Sequence, residues 1–256
     1  MSNWSGWWRY LYRAPMLTLH LLIGLPVTLL SFLPPFKNIR LGNLNLNHHM
    51  QCWWARNICY IFGVKPKASG RFQPGPWLVV ANHISWIDIQ VLHSLAPMGF
   101  VAKAEIKQWP LAGWLASVGD TVFHHRGSHD SARGVSGEMS ERLRAGRKVA
   151  IFAEGGILPG RGIKRFHARL FAAAIETGVP VQPVMLRYLQ RDRIYHDITF
   201  LPGENFMANF FRLLRQPRCM AEVAILSPIE TAGKQRRNLA SESEQAITVA
   251  FHREPV

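Results

Sequence analysis

From about residue 70 to residue 225, short apolar runs alternate with amphipathic segments, and that rhythm leaves few architectures open. TrpLeuValValAla (77–81) reads as a buried strand and SerTrpIleAspIleGlnValLeu (85–92) as a helix. GlyPheValAla (99–102), LysValAlaIlePhe (148–152) and ValProValGlnProValMetLeu (179–186) read as further strands, with 198–201 and 221–225 as later ones. Between them fall a short helix over about 110–118, a helix over 131–145 with Val135, Met139 and Leu143 at four-residue steps, and a helix over 168–177. Apolar runs of this length read as strands covered on both faces, and the intervening helices supply the crossovers that parallel pairing requires. The expected fold is α/β: a mostly parallel central sheet flanked by helices. Beyond Glu230 the chain is polar and reads as a surface helix or tail.

The first 68 residues have another texture. Met16 to Leu33 is apolar, with His20, Gly24 and Pro26 as interruptions, and is marginally short for a straight membrane crossing. The ProProPheLysAsn that follows holds no small-x-small cleavage site, which argues against a signal peptide. Arg9 and Arg13 precede the segment while Lys37 and Arg40 follow it, and positive charge on both sides suits a helix lying in one leaflet, bent at Pro26, better than a simple span. A buried core helix is the alternative. A second segment, about 50–62, places Trp53, Trp54, Ile58 and Ile61 at helical spacing with Arg56 and Asn57 on a polar side, and Gly63 ends it as a helix C-cap. The sequence thus divides into a membrane-associated helical pair (1–68) and an α/β domain (69–256).

Charge narrows the partners. The formal net charge is +14, from 30 Lys+Arg against 16 Asp+Glu, which attracts nucleic acid, anionic lipid or an acidic carrier protein. Nine tryptophans, among them Trp4, Trp7, Trp8, Trp53 and Trp54 in the first quarter, favour a lipid interface over nucleic acid. Cys52, Cys59 and Cys219 include no CxxC pair and read as free thiols. The pairs His48–His49 and His124–His125 have no companion ligand at metal spacing, and no Walker or dinucleotide fingerprint occurs, so neither metal nor cofactor is expected. ArgLeuLeuArgGlnProArg (212–218) reads as a solvated or membrane-facing basic edge.

The sharpest chemical signal is AsnHisIleSerTrpIleAsp (82–88), directly after a buried strand. Reactive groups of α/β proteins gather beyond the carboxyl ends of strands. Ser85 is a natural helix N-cap and Asp88, three positions on, completes an SxxD capping box in the first turn, close to the loop that carries His83. A carboxylate on one imidazole nitrogen fixes the tautomer and leaves the other nitrogen free to take a proton. No Gly-x-Ser-x-Gly elbow supplies a nucleophile, so the attacking hydroxyl would be the substrate's own. On spacing alone, a helix-capping Asp88 beside an ordinary loop histidine remains open.

Asn-His-x4-Asp after a strand resembles the first motif of the glycerolipid acyltransferases, the family of 1-acylglycerol-3-phosphate acyltransferases. Further blocks follow in that family's order: PheValAlaLys (100–103) with Pro110 and Gly113, GlyAspThrValPheHisHisArg (119–126), PheAlaGluGlyGly (152–156) and ValProValGlnProVal (179–184). The resemblance covers about residues 75–190. Two departures stand in the third motif, where Ala153 replaces a usual Pro and Gly156–Ile157 replace Thr and its successor.

The resemblance implies an O-acyltransferase in which His83 is general base and Asp88 orients it. Arg126, Glu154 and Gly155 would position the acceptor head, with Lys103 as a helper and Arg161, Lys164 or Arg165 substituting for the altered third motif. It implies acyl-CoA or acyl carrier protein as donor and a lysophospholipid acceptor, first of all 1-acylglycerol-3-phosphate. Membrane lipids would be partners, at the cytoplasmic face of the inner membrane. The altered motif leaves another acceptor open, such as a lyso-ornithine lipid. A non-catalytic basic membrane protein is the remaining alternative, and it leaves the ordered motifs unexplained.

Overall fold

The computed structural model describes residues 6–108, 113, 116–117, 119–124, 129–157 and 162–254, without the side chains of 129–133. Its strands are β1 (Arg40–Leu41), β2 (Leu44–Asn45), β3 (Val64–Ser69), β4 (Leu78–Ala81), β5 (Gly99–Lys103), β6 (Val122–His124), β7 (Val149–Phe152), β8 (Val181–Gln190), β9 (Arg193–Ile194) and β10 (Cys219–Ile225). β1 and β2 form a small hairpin. The others make one sheet in the order β3-β10-β8-β4-β7-β5-β6, with β9 paired to β8. β10 runs antiparallel to β8 and β9 antiparallel to β8, and the remaining pairs are parallel, as the alternating pattern requires.

β4 lies at the centre, and its side chains show why the sequence there is uniformly apolar. Val79 and Ala81 point into one core, Leu78 and Val80 into the other, and all four are buried. The first core is closed by α3 (Leu46–Ile61), α4 (Asp88–Leu95) and α7 (Phe206–Arg215), with Leu17 of the N-terminal helix. The second is closed by α5 (His129–Arg144), α6 (Ala172–Thr177) and α8 (Arg236–His252). Val135, Met139 and Leu143 are the buried stripe of α5, at the expected spacing. The result is three layers, helix on sheet on helix.

Several expectations need correction. Residues 198–201 are not a strand: His196–Ile198 is a 3-10 turn and the following residues are irregular. Of the two readings of the C-terminal segment, surface helix or tail, the helix forms, but as α8 it buries Leu239, Ala240, Ile247, Ala250 and Phe251 in the second core. The helix expected at 85–92 begins only at Asp88. Val64–Ser69 is already a strand of the sheet, where the sequence reading begins the α/β domain at residue 69. Most of 110–118 lies outside the described residues.

The N-terminal helix starts earlier than hydropathy suggests. α1 (Trp7–Leu19) passes through a π-turn at His20–Gly24 into α2 (Leu25–Leu30), a single apolar rod of 24 residues. The π-turn sits just before Pro26, which cannot donate to the ladder. Arg13 is no flanking charge: it is 1% exposed, and its Nη1 donates to the carbonyls of Leu214 and Gln216 at the end of α7. The Arg215 guanidinium lies 4.2 Å from the Trp7 ring centroid. Arg212 is paired with Glu204 at 2.6 Å, so the 212–218 run is a docking seam in place of the expected basic edge.

Gly63 closes α3 with φ +73°, and a β-carbon there would collide with the Arg13 guanidinium. Gly63→Ala is expected to cost about 1–2 kcal/mol for the left-handed backbone alone. It should also speed hydrogen exchange in Trp7–Leu19; unchanged exchange there, measured by mass spectrometry, would show that Arg13 does not fasten the helix.

Candidate active site

Parallel pairing sets Ala81 of β4 against Phe152 of β7, so the loops leaving these two strands emerge side by side at the carboxyl edge. Where β4 ends, the Asn82 side chain replaces the ladder: its amide donates to the Leu186 carbonyl at 2.9 Å and accepts from the Leu186 N–H at 2.8 Å. The chain then turns through His83, Ile84 and Ser85 into α4.

Asp88 organises this turn. It is fully buried, and its Oδ2 accepts from the backbone N–H groups of Ile84 (2.7 Å) and Ser85 (2.9 Å) and lies 2.9 Å from His83 Nδ1. Its Oδ1 accepts from the Tyr188 hydroxyl at 2.6 Å. The carboxylate half of the expected capping box therefore forms. The hydroxyl half does not: Ser85 Oγ is buried without a partner among the described residues, and Ile87 stands at the N-cap.

An oxygen already facing two N–H groups is an acceptor, so the imidazole proton resides on Nδ1 and the Nε2 lone pair is left available. The ring is stacked on Phe152, 3.9 Å between centroids at 12°, which fixes its rotation. Its side chain keeps 14% exposure, and His83 lines a long groove. Burial foremost, then the neighbouring carboxylate, pushes the Tyr188 hydroxyl well above its usual range, so it remains a donor.

Glu154 faces inward. Its Oε1 accepts from the His83 N–H and its Oε2 from the Lys164 N–H, both at 2.9 Å, tying the loop after β7 to the histidine loop. Burial pushes its carboxyl up, and these two N–H groups oppose the shift. Gly155 continues the turn at φ +73°, a backbone that favours glycine, and lines the groove with Gly156 and Ile157.

Lys103 at the end of β5, Lys164 and Arg165 also line the groove, on its rim. Arg126 and Arg161 lie outside the described residues. The geometry thus brings His83, Asp88, Glu154 and Gly155 together, and of the two roles the sequence leaves even for Glu154, acceptor contact and a carboxylate bonding nearby backbone N–H groups, the structure displays the second. Asn82, Phe152 and Tyr188 were missed as positioning residues. Asn82 and Phe152 sit inside recognised motifs, but Tyr188 meets Asp88 across 100 positions, and only the sheet register reveals it.

Tyr188→Phe removes one donor from a buried carboxylate, at an expected cost of about 1–3 kcal/mol in stability. It should lower kcat with little change in KM, as read by denaturant titration and steady-state kinetics; unchanged kcat would separate Tyr188 from the histidine.

Comparison with known proteins gives the context of this constellation. A family model described as Acyltransferase matches residues 65–187. The lyso-ornithine lipid O-acyltransferase of Pseudomonas aeruginosa is 39% identical over 207 residues, 80% of each chain. The enzyme of the same name from Brucella abortus is 30% identical over 241 residues, 88% of this chain and 89% of its own. The 1-acyl-sn-glycerol-3-phosphate acyltransferase of Neisseria gonorrhoeae is 39% identical over 115 residues, 45% of each chain. In fold, the crystal structure of the 1-acyl-sn-glycerophosphate acyltransferase PlsC from Thermotoga maritima superposes over 100% of both chains with a TM-score of 0.73 at 19% identity. With relatives of this identity matched across most of its length, the chain belongs to the acyltransferase family and is an acyltransferase of the lysophospholipid and glycerolipid class.

Proposed function

We propose that this protein transfers a fatty acyl group from a thioester to the free hydroxyl of a lyso-ornithine lipid, with His83 as general base and Asp88 orienting it. The observation that carries the chemistry is the His83–Asp88 contact of 2.9 Å, with Nε2 left available on the wall of a groove. The substrate hydroxyl gives its proton to Nε2 as its oxygen attacks the thioester carbonyl. The tetrahedral oxyanion then collapses, the carbon–sulfur bond breaks, and the departing sulfur takes the proton from the imidazolium. Asp88 stabilises that imidazolium without accepting the proton.

Two lines support the acceptor. The relatives that match 80% and 88% of the chain carry the lyso-ornithine name, whereas the 1-acyl-sn-glycerol-3-phosphate relative matches 45%. Within the site, Gly156 and Ile157 offer no side-chain donor to a phosphate after the Glu154–Gly155 turn. The second reading, 1-acylglycerol-3-phosphate, is favoured by the cations on the rim, Lys103, Lys164 and Arg165, to which the sequence motifs add Arg126 and Arg161. The same basic rim, extended by Arg236 and Arg237, suits the phosphates of acyl-CoA or an acidic acyl carrier protein as donor.

The N-terminal rod supports work at a membrane. Leu17, Leu21, Leu25 and Leu29 line the groove, while Leu11, Leu19, Leu22, Ile23, Val27 and Leu30 are exposed on the other side. A helix apolar toward both a groove and the exterior fits one embedded in a leaflet, delivering lipid sideways to His83. Acyl-CoA and acyl carrier protein are cytoplasmic, which supports a location on the inner face of the inner membrane.

His83→Ala is expected to reduce kcat/KM by about 10²–10⁴-fold while leaving the fold and membrane partition intact; residual activity within a few-fold of wild type rules out this base. Lyso-ornithine lipid and 1-acylglycerol-3-phosphate compared with one acyl-CoA donor should show at least about a tenfold preference for the former, and the reverse order would assign the phosphate acceptor.

A further inference from the structure

The N-terminal rod and α7 (Phe206–Arg215) are joined at one end. Besides the bonds from Arg13 to the Leu214 and Gln216 carbonyls, a β-carbon on Gly6 would stand 3.0 Å from the Arg215 carbonyl oxygen, so the two backbones nearly touch. Both helices then line the groove, the rod with Leu17, Leu21, Leu25 and Leu29 and α7 with Phe206 and Phe210. On its opposite side α7 carries Met207 and Phe211, one turn apart and 54% and 42% exposed. A helix facing water places polar side chains at such positions, and here both are apolar. In this respect α7 repeats the rod: apolar toward the groove and apolar toward the exterior.

The two outer faces are continuous. Met207, Phe211 and Arg215 follow at four-residue steps, and the Arg215 guanidinium covers the ring of Trp7, which is itself exposed and leads to the exposed Trp8 and Leu11. The Arg9 guanidinium lies 4.9 Å from the Trp8 ring centroid, so the joint pairs two indoles with two cations. Amphipathic rings beside cations suit the level of lipid headgroups, where the ring is half buried and the charge meets phosphate. A protein seated across both helices would close the groove between them, whereas a leaflet covers the same face and supplies the groove with lipid.

We propose that α7 is a second membrane-inserted element, and that Met207 and Phe211 enter the same leaflet as the rod, making the two helices the lips of a lateral entrance for lipid. This rests on the reading of the rod as embedded in a leaflet. The second lip is tied to the chemistry. Asn209 of α7 is fully buried, and its Oδ1 accepts from Trp86 Nε1 at 2.9 Å. The Trp86 ring also stacks on Phe210, 5.7 Å between centroids, and Trp86 lies two positions before Asp88. The depth at which α7 sits therefore fixes where the His83 turn stands relative to the leaflet.

The test uses the full-length protein in vesicles of phosphatidylethanolamine and phosphatidylglycerol. Cys52, Cys59 and Cys219 are all buried, so a cysteine introduced at the surface takes a nitroxide label selectively. Labels at Met207→Cys and Phe211→Cys are compared with Leu22→Cys on the rod and with Val249→Cys, exposed on α8. Their relaxation is read with oxygen, which concentrates in the bilayer, and with a nickel chelate, which stays in water. Labels at 207 and 211 should favour oxygen, as at Leu22, while Val249→Cys favours nickel. Labels at 207 and 211 that favour nickel while Leu22→Cys favours oxygen would overturn the proposal and leave the rod embedded; nickel at Leu22→Cys as well would overturn both readings. Labels at 207 and 211 shielded from both reagents, with broadening that disappears on dilution with unlabelled protein, would identify a second copy as the cover and overturn the proposal. A second arm measures kcat/KM for a lysolipid acceptor held in the vesicles and for a short-chain one dissolved as monomers. In the double variant Met207→Gln with Phe211→Gln, the ratio of the first to the second should fall about tenfold or more. A ratio within a factor of about two of the unsubstituted protein's contradicts the proposal, since each substitution removes one apolar side chain from the leaflet.

Discussion

A single carboxylate sets the geometry of this protein. Asp88 is fully buried, with three donors on Oδ2 and one on Oδ1. A buried carboxylate is tolerable only when its oxygens are satisfied, and here each donor comes from a different part of the fold. Two backbone N–H groups fix the turn after β4, the imidazole fixes the reactive face, and Tyr188 ties both to β8. Removing the charge would release the turn and the histidine together. Structure and chemistry are therefore not separable at this residue.

The sheet makes that arrangement affordable. β4 is paired on both sides along its whole length, and Asn82 continues the pairing one residue past its end through its side chain. The histidine loop thus starts from a rigid point, and Phe152 from the neighbouring strand supplies a flat surface for the ring. Glu154 binds the two loops to each other through backbone N–H groups. Side chains held in this way keep their orientation without help from a ligand. The groove beside them is a different kind of structure: one wall belongs to a helix that is apolar on both sides, held to α7 by the buried Arg13.

The α/β class and the parallel centre could be read directly, because strands buried on both faces leave continuous apolar runs such as 77–81 and 148–152. The 131–145 helix was equally legible, since its buried residues recur every fourth position. The burial of the final helix was not: α8 is polar over most of its surface and buries a narrow stripe of Leu239, Ala240, Ser243, Ile247, Ala250 and Phe251, which hydropathy alone does not register. The expected strand at 198–201 failed because Ile198 is buried from a 3-10 turn, and a short apolar run does not reveal its backbone. At the site, His83 and Asp88 stood out through local spacing. Tyr188 did not, because its hydroxyl approaches Asp88 only through the register that sets β8 beside β4. Arg13 was misplaced for a related reason: a charge at a helix start looks solvent-bound until its acceptors, 201 and 203 residues away, are known.

The central claim is that Asp88 holds the His83 ring with its proton on Nδ1 and its Nε2 bare. Nitrogen-15 NMR of the protein labelled at histidine, with His83 assigned by loss of its signals in His83→Gln, tests this directly at a pH where the ring is neutral. The expected result is a protonated-type shift for Nδ1, a bare-type shift for Nε2, and disturbance of both in Asp88→Asn. A ring carrying its proton on Nε2, or signals indifferent to Asp88→Asn, would contradict it.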